Sequence, residues 1–159
     1  MYITTSKNAS KELIAKAKTI ALSIPSLNYI SRSKRSLQTI CKIMQKKSQK
    51  QIFVLGEKNG SKIILKYKKT PYGYNWDENA LRIDKLKTTP NKIEPPFVFE
   101  AKGAAKKISD FLCLQNSIHA NLYDEPTKLK VALKTKTLSI KNKKDNLLEC
   151  KYELVKCPQ

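Results

Sequence analysis

The sequence predicts an α/β (α+β) fold with two similar halves, each built from strand–helix–strand units. Three observations carry that prediction. The apolar pattern of the 159-residue chain switches repeatedly between β-type runs and helical i, i+3, i+4 stripes. An Asn59-Gly60 dipeptide, favoured in type I′ turns, separates two β-rich runs. Residues 3–13 also align without gaps on 98–108. Lys7/Lys102, Ala9/Ala104 and Lys11/Lys106 are identical in that alignment, and the apolar ends match in type.

Tyr2 to Thr5 reads as a strand, followed by a polar turn over Ser6 to Ala9. Ser10 is placed to cap a helix whose inner stripe is Leu13, Ala17, Ile20, Ala21 and Ile24, and Pro25 ends it. Asn28 to Arg32 reads as a second strand. Ser33 or Ser36 caps a second helix with the stripe Leu37, Ile40, Cys41 and Met44. Lys46, Lys47 and Lys50 follow it, cations that suit the negative end of the helix dipole.

Gln51 to Gly56 and Ser61 to Tyr67 form the hairpin. Ile52-Phe53-Val54-Leu55 is apolar at every position, which predicts a central strand covered on both faces. Thr70 to Trp76 reads as a Pro/Gly/Tyr-rich connector, and Ala80 to Lys87 as another strand. Pro90, Pro95 and Pro96 mark a boundary between an N-terminal half, 1–88, and a C-terminal half, 93–159, within one domain. The second half reads as a strand at Phe97–Glu100, a helix at Gly103–Leu112 and a strand at Ile118–Tyr123. Strands at Lys128–Lys134, Thr137–Lys141 and Leu147–Val155 follow.

Charge bears most directly on function. The chain holds 32 Lys+Arg against 13 Asp+Glu, for a net +19. A compact surface with that excess repels itself, so a polyanionic partner is expected: nucleic acid first, an anionic membrane surface second. Only Arg32, Arg35 and Arg82 are arginines, so a general lysine bias with a solvated basic face accounts for part of the excess. Residues 1–50 hold 11 basic residues and one acid, for +10; residues 51–100 carry +3 and residues 101–159 carry +6.

Two clusters stand out in the first segment. Thr5, Ser6, Lys7, Ser10 and Lys11 occupy a strand-to-helix turn, and so do Arg32, Lys34 and Arg35. Backbone N–H groups, hydroxyls and cations converge at such turns, which is how phosphate oxygens are held. If the first two strands are neighbours, both turns share one sheet edge. Lys102 and Lys106 occupy the matching turn of the second half. Tyr72, Tyr74 and Trp76 can stack on bases, but packing of the loop onto the core is the favoured reading.

Catalytic chemistry is poorly provided for. Neither GxxxxGK[ST] nor GxGxxG occurs, and His119 is the one histidine. Cys41, Cys113, Cys150 and Cys157 form no CxxC pair, and Cys41 and Cys113 fall on predicted apolar helix faces. Reduced thiols in a cytoplasmic protein are expected, with no metal and no cofactor. No run of about 18 apolar residues occurs, so no membrane span is expected. The opening Met1-Tyr2-Ile3-Thr4-Thr5 does not resemble a secretory signal.

Several of these motifs resemble the Brix-domain family. They are Thr4-Thr5-Ser6 with Ser10, and Asn28-Tyr29-Ile30-Ser31-Arg32 with Lys34. Phe53-Val54-Leu55-Gly56-Glu57-Lys58-Asn59-Gly60 before a returning apolar strand is the third. The likeness covers residues 2–67 well and 93–112 loosely, and is greatest to short archaeal members. Arg32-Ser33 stands where the family has Asn-Arg-Gly, and Thr70-Pro71-Tyr72-Gly73 stands where it has Gly-Pro-Thr. The resemblance implies two halves, each similar to the anticodon-binding domain of class II aminoacyl-tRNA synthetases. It also implies a non-catalytic role in ribosome biogenesis, binding ribosomal RNA or its precursor; a monomer is expected. The expected interface is Thr5, Ser6, Lys7, Ser10 and Lys11 with Arg32, Lys34 and Arg35, extended by Lys102 and Lys106. An adaptor docking its apolar hairpin on a ribosomal or assembly protein is the alternative.

Overall fold

The computed structural model describes residues 1–25, 27–89, 97–112, 114, 127–134, 137–141 and 146–157. The expected strand at 118–123, Cys113, His119 and the prolines at 90, 95 and 96 lie outside these residues. Parallel pairing of β1 (Tyr2–Thr5) with both β2 (Asn28–Tyr29) and β3 (Gln51–Lys58) organises the first half. The connection from β1 to β2 runs through α1 (Lys11–Ser23), and that from β2 to β3 through α2 (Leu37–Lys46).

The two helices lie on opposite faces of the sheet. Leu13, Ala17 and Ile20 of α1 pack with Ile3, Phe53 and Leu55. Ile40 and Met44 of α2 pack on Ile52, with Tyr2 and Tyr67 beside them. Successive strand residues point to opposite faces, so Ile52 and Phe53 serve different helices, and the uninterrupted apolar run becomes a strand covered on both sides. The apolar hairpin is therefore interior, with Ile52 to Leu55, Ile63 and Ile64 all buried, and offers no free docking face.

β3 turns through Asn59-Gly60, both at positive φ (52° and 75°), into β4 (Ser61–Thr70). The next element differs from the expected connector. Thr70 pairs with Gly73, so the chain turns over Pro71-Tyr72 alone and continues as β5 (Gly73–Thr88), a strand of 16 residues. Gly and Asn mask a period-2 pattern there, in which Tyr74 and Trp76 alternate with Asn75 and Asp77. The expected second strand, Asn28 to Arg32, shrinks to two residues, because Ile30, Ser31 and Arg32 belong to the turn that follows.

The second half comprises β6 (Phe97–Ala101), α3 (Ala104–Phe111), β7 (Thr127–Lys134), β8 (Thr137–Lys141) and β9 (Asn146–Lys156). The described strands form one sheet in the order β2-β1-β3-β4-β5-β9-β8-β7-β6. Outward from the central antiparallel β5–β9 pair, both directions show two antiparallel pairings and then a parallel one.

One apolar core spans both halves on the α1 side, joining Ile20, Phe53 and Leu81 to Phe97, Ile108, Leu129 and Leu138. Phe111 of α3 sits 6.3 Å from Phe53, centroid to centroid. Beside it, Lys66 donates to the Phe111 carbonyl (3.2 Å), lies over its ring and approaches Asp77 (3.6 Å). On the other face Arg82 and Glu153 link β5 to β9 at 2.7 Å.

Candidate nucleic-acid interface

The strand order 2-1-3 with helices on opposite faces reverses direction at β1. At such a switch point the turns leaving the carboxyl ends of neighbouring strands diverge, and ligands bind beside them. Here those turns are Ser6–Ser10 after β1 and Ile30–Ser36 after β2, with the Asn59-Gly60 hairpin after β3 on the same margin. The parallel pairing thus brings together the two clusters expected to share an edge.

Hydrogen bonds fix the turns to each other. The Thr4 hydroxyl donates to the Ile30 carbonyl (2.8 Å), and the Ser6 N–H donates to the Leu55 carbonyl (2.9 Å). The Arg32 guanidinium donates to the Thr5 carbonyl (3.4 Å) and, through Nε, to the Arg35 carbonyl (3.2 Å). Arg32 therefore braces the two turns from between them. Its half-buried position lowers its pKa by desolvation, though a guanidinium stays charged at any physiological pH. Asn8 and Ser33 hold matching left-handed conformations (φ 60° and 49°), one in each turn. Ser10 and Ser36 accept from the Leu13 and Thr39 N–H groups as helix caps, each at 3.1 Å. Their hydroxyls thus stabilise the helix starts that frame the rim.

The residues named from sequence divide into three groups. Lys7, Lys11, Lys34 and Arg35 are exposed, and Ser6 is half-buried at the rim. Thr5 is 3% exposed and packs inward, so its side chain is not presented to a ligand. Lys102 and Lys106 are exposed, but they do not join this rim. Through the pairing ladder β6 runs opposite to β1, so the turn after β6 faces the other margin of the sheet. The hairpin residue Lys58, exposed at the end of β3, does share the first margin. Its place depends on the long-range β1–β3 pairing, which no local motif announces.

Two acids stand near the rim. Glu12 pairs with Lys16, whose hydrogen bond holds its carboxyl below the usual range, with the Lys16 and Lys62 charges adding to this. Glu57 faces Lys62 across the hairpin. The local carboxylates thus already face lysines of the fold. Lys7, Lys34 and Arg35 are in no carboxylate ion pair among the described residues.

Other chemistry is weakly supported. Cys41 and Cys150 are buried free thiols, and burial, followed by the Glu149 and Asp84 charges, pushes Cys150 up to about 12. Such a thiol is a poor nucleophile at neutral pH. Among the described residues no group of His, Cys, Asp and Glu could hold a metal ion. No helix there is long and apolar enough to cross a membrane.

Comparison with known proteins agrees with the architecture. No protein-family model and no curated protein matches the sequence. Among solved structures, a probable ribosomal biogenesis protein from Aeropyrum pernix K1 superposes with a TM-score of 0.68 at 17% identity. The match covers 99% of this chain and 96% of that one. Mil, an archaeal Imp4-like protein, superposes with a TM-score of 0.66 at 11% identity, covering 99% of both chains. The chain shares the fold of these proteins. The mixed α+β architecture expected from the sequence is thus present, and the match extends through the second half.

Proposed function

We propose that this protein is a non-catalytic ribosome-biogenesis factor that binds precursor ribosomal RNA through phosphate contacts at the β1/β2 rim. The observation that carries the reading is the parallel β1–β2 pair, which sets Lys7, Lys34 and Arg35 on one margin. Arg32 holds the two turns together there. The shared fold with a probable ribosomal biogenesis protein supports the biological setting. The strand order repeated outward from β5–β9 supports an origin as two copies of one unit.

In the proposed mechanism Lys7, Lys11, Lys34 and Arg35 each neutralise a phosphate, while Arg32 keeps the turns in register. Phosphate contacts position an RNA without reading its bases, so affinity depends steeply on salt. The test is a salt titration of binding to a structured ribosomal RNA fragment by the wild type and the Lys7→Glu/Arg35→Glu variant. Both side chains are exposed, so the fold should be kept. The variant should bind more weakly, with a salt slope shallower by about two. Unchanged affinity and slope would refute the rim.

A further inference from the structure

At the opposite margin of the first half, the β4–β5 hairpin projects beyond its neighbours. Pairing of β9 with β5 begins only at Asn79, and pairing of β3 with β4 ends at Lys68. The outer part, Thr70 to Asp77, therefore extends past the sheet and turns at Pro71-Tyr72. Strand register places Tyr67 opposite Trp76, and Lys69 opposite Tyr74, on the face that α2 covers lower down.

The aromatic residues there do different things. Tyr67 lies between Tyr74 (5.7 Å, stacked) and Trp76 (4.7 Å, tilted), and it packs on the α2 cluster. Tyr74 is half-buried in that stack. These two act as a rigid backing, as a packing role requires. Tyr72 is 96% exposed at the hairpin tip and Trp76 is 40% exposed at the side of the stack. Packing does not account for their open faces.

The surroundings are mainly basic, with Glu78 the one exposed acid beside Trp76 on that face. Lys46, Lys47 and Lys50 at the end of α2 and Lys69 on the hairpin are exposed. The backbones of Lys50 and Lys69 are joined by a 2.8 Å hydrogen bond. Lys47 lies over the Tyr2 ring and donates to its hydroxyl at 3.2 Å. No acid occurs in the sequence between Glu12 and Glu57. Asp77, the next acid along the hairpin, is bonded to Lys68 (3.0 Å), which points to the other face together with its cross-strand partner Asn75.

Exposed aromatic faces on a rigid backing, with mobile cations around them, suit single-stranded nucleic acid. Bases stack on the rings, and the phosphates follow the lysines. We propose that this hairpin is a second RNA site that takes unpaired nucleotides, with bases on Tyr72 and Trp76 and phosphates at Lys46, Lys50 and Lys69. The inference rests on RNA being the partner, but it uses a surface separated from the rim by the length of β3, on the order of 25 Å.

Trp76 is the only tryptophan in the chain, so its fluorescence reports this site alone. The probes are a 10-nucleotide single-stranded oligoadenylate and a blunt RNA duplex of similar charge. The oligoadenylate should quench Trp76, and Tyr72→Ala should weaken its binding about tenfold while leaving duplex affinity unchanged. Lys7→Glu/Arg35→Glu should weaken the duplex and spare the quench. Absence of quenching, or wild-type oligoadenylate affinity in Tyr72→Ala, would remove the hairpin site even with rim-dependent duplex binding intact. Intact quenching with duplex binding indifferent to the rim variant would remove the rim instead.

Discussion

Outward from β5–β9, residues 1–88 and the described residues of 97–157 share two antiparallel pairings and then a parallel one, yet they are finished differently. In the first half α1 and α2 cover opposite faces, serine caps both helices, and the basic turns meet at one margin. In the second half, among the described residues, one helix covers one face and starts at Gly103 without a side-chain cap. The other face is chequered with charge, as where Glu100 approaches Lys128 at 3.8 Å. The first half is thus shaped to present a charged edge, and the second half closes its core. Four substitutions test how far that division goes.

The largest effect should come from Phe111, through which α3 reaches across to Phe53. Phe111→Ala opens a cavity in the shared core and should cost about 3–5 kcal/mol. Trp76 lies in the first half, whereas far-UV circular dichroism reports the whole chain. If the core is one cooperative unit, both signals shift together to lower denaturant. A Trp76 transition that stays in place would mean that the halves fold independently, and the shared core would be incidental.

What was legible in the sequence was local. Ser10 with its inner stripe, the Leu37–Met44 stripe and Asn59-Gly60 each act within a few residues, and each appears where expected. Three features depend on distant partners and were hidden. Residues 73–79 become strand because β4 returns beside them. Arg32 becomes a brace because two turns meet across a parallel pair. Lys102 faces the other margin because strand direction reverses through the β5–β9 pair. The two basic turns share a margin, as neighbouring parallel strands require, but the place of each side chain along it depends on what that edge buries. Thr5 is the clearest case, a rim candidate that packs inward.

An intermediate effect is expected at Asp77, where Lys66 and Lys68 converge beside the foot of α3. Burial raises the Asp77 pKa, but hydrogen bonds from Lys68 and the Asn79 N–H and the two lysine charges outweigh it, so its carboxyl is held below the usual range. A carboxyl with a lowered native pKa contributes stability that is present above about pH 4 and lost as pH falls through the native value. Asp77→Asn should cost about 2 kcal/mol at pH 7. It should also flatten the acid limb of the stability profile. An unchanged acid limb would show that the charge at 77 does not help hold the α3 end of the second half against β4 of the first.

The smallest effect bears directly on how alike the two halves are. Ser10 has φ −61° and ψ 157°, and its hydroxyl accepts from Leu13 N–H. Gly103, at the matching turn of the repeat, has φ 56° and ψ −131°. Ser10→Ala should cost about 1 kcal/mol by removing a cap. Gly103→Ser looks like the reverse change, yet it should also destabilise, by on the order of 1 kcal/mol, because an L residue is strained at that φ. No atom lies within 4 Å of an added Cβ, so the strain belongs to the backbone and not to a clash. Urea denaturation of both variants measures the pair of effects. A gain in stability from Gly103→Ser would mean that the turn relaxes to the Ser10 conformation. The two strand-to-helix turns would then be interchangeable, and the difference in charge around them, not in backbone, would separate the half that presents an edge from the half that does not.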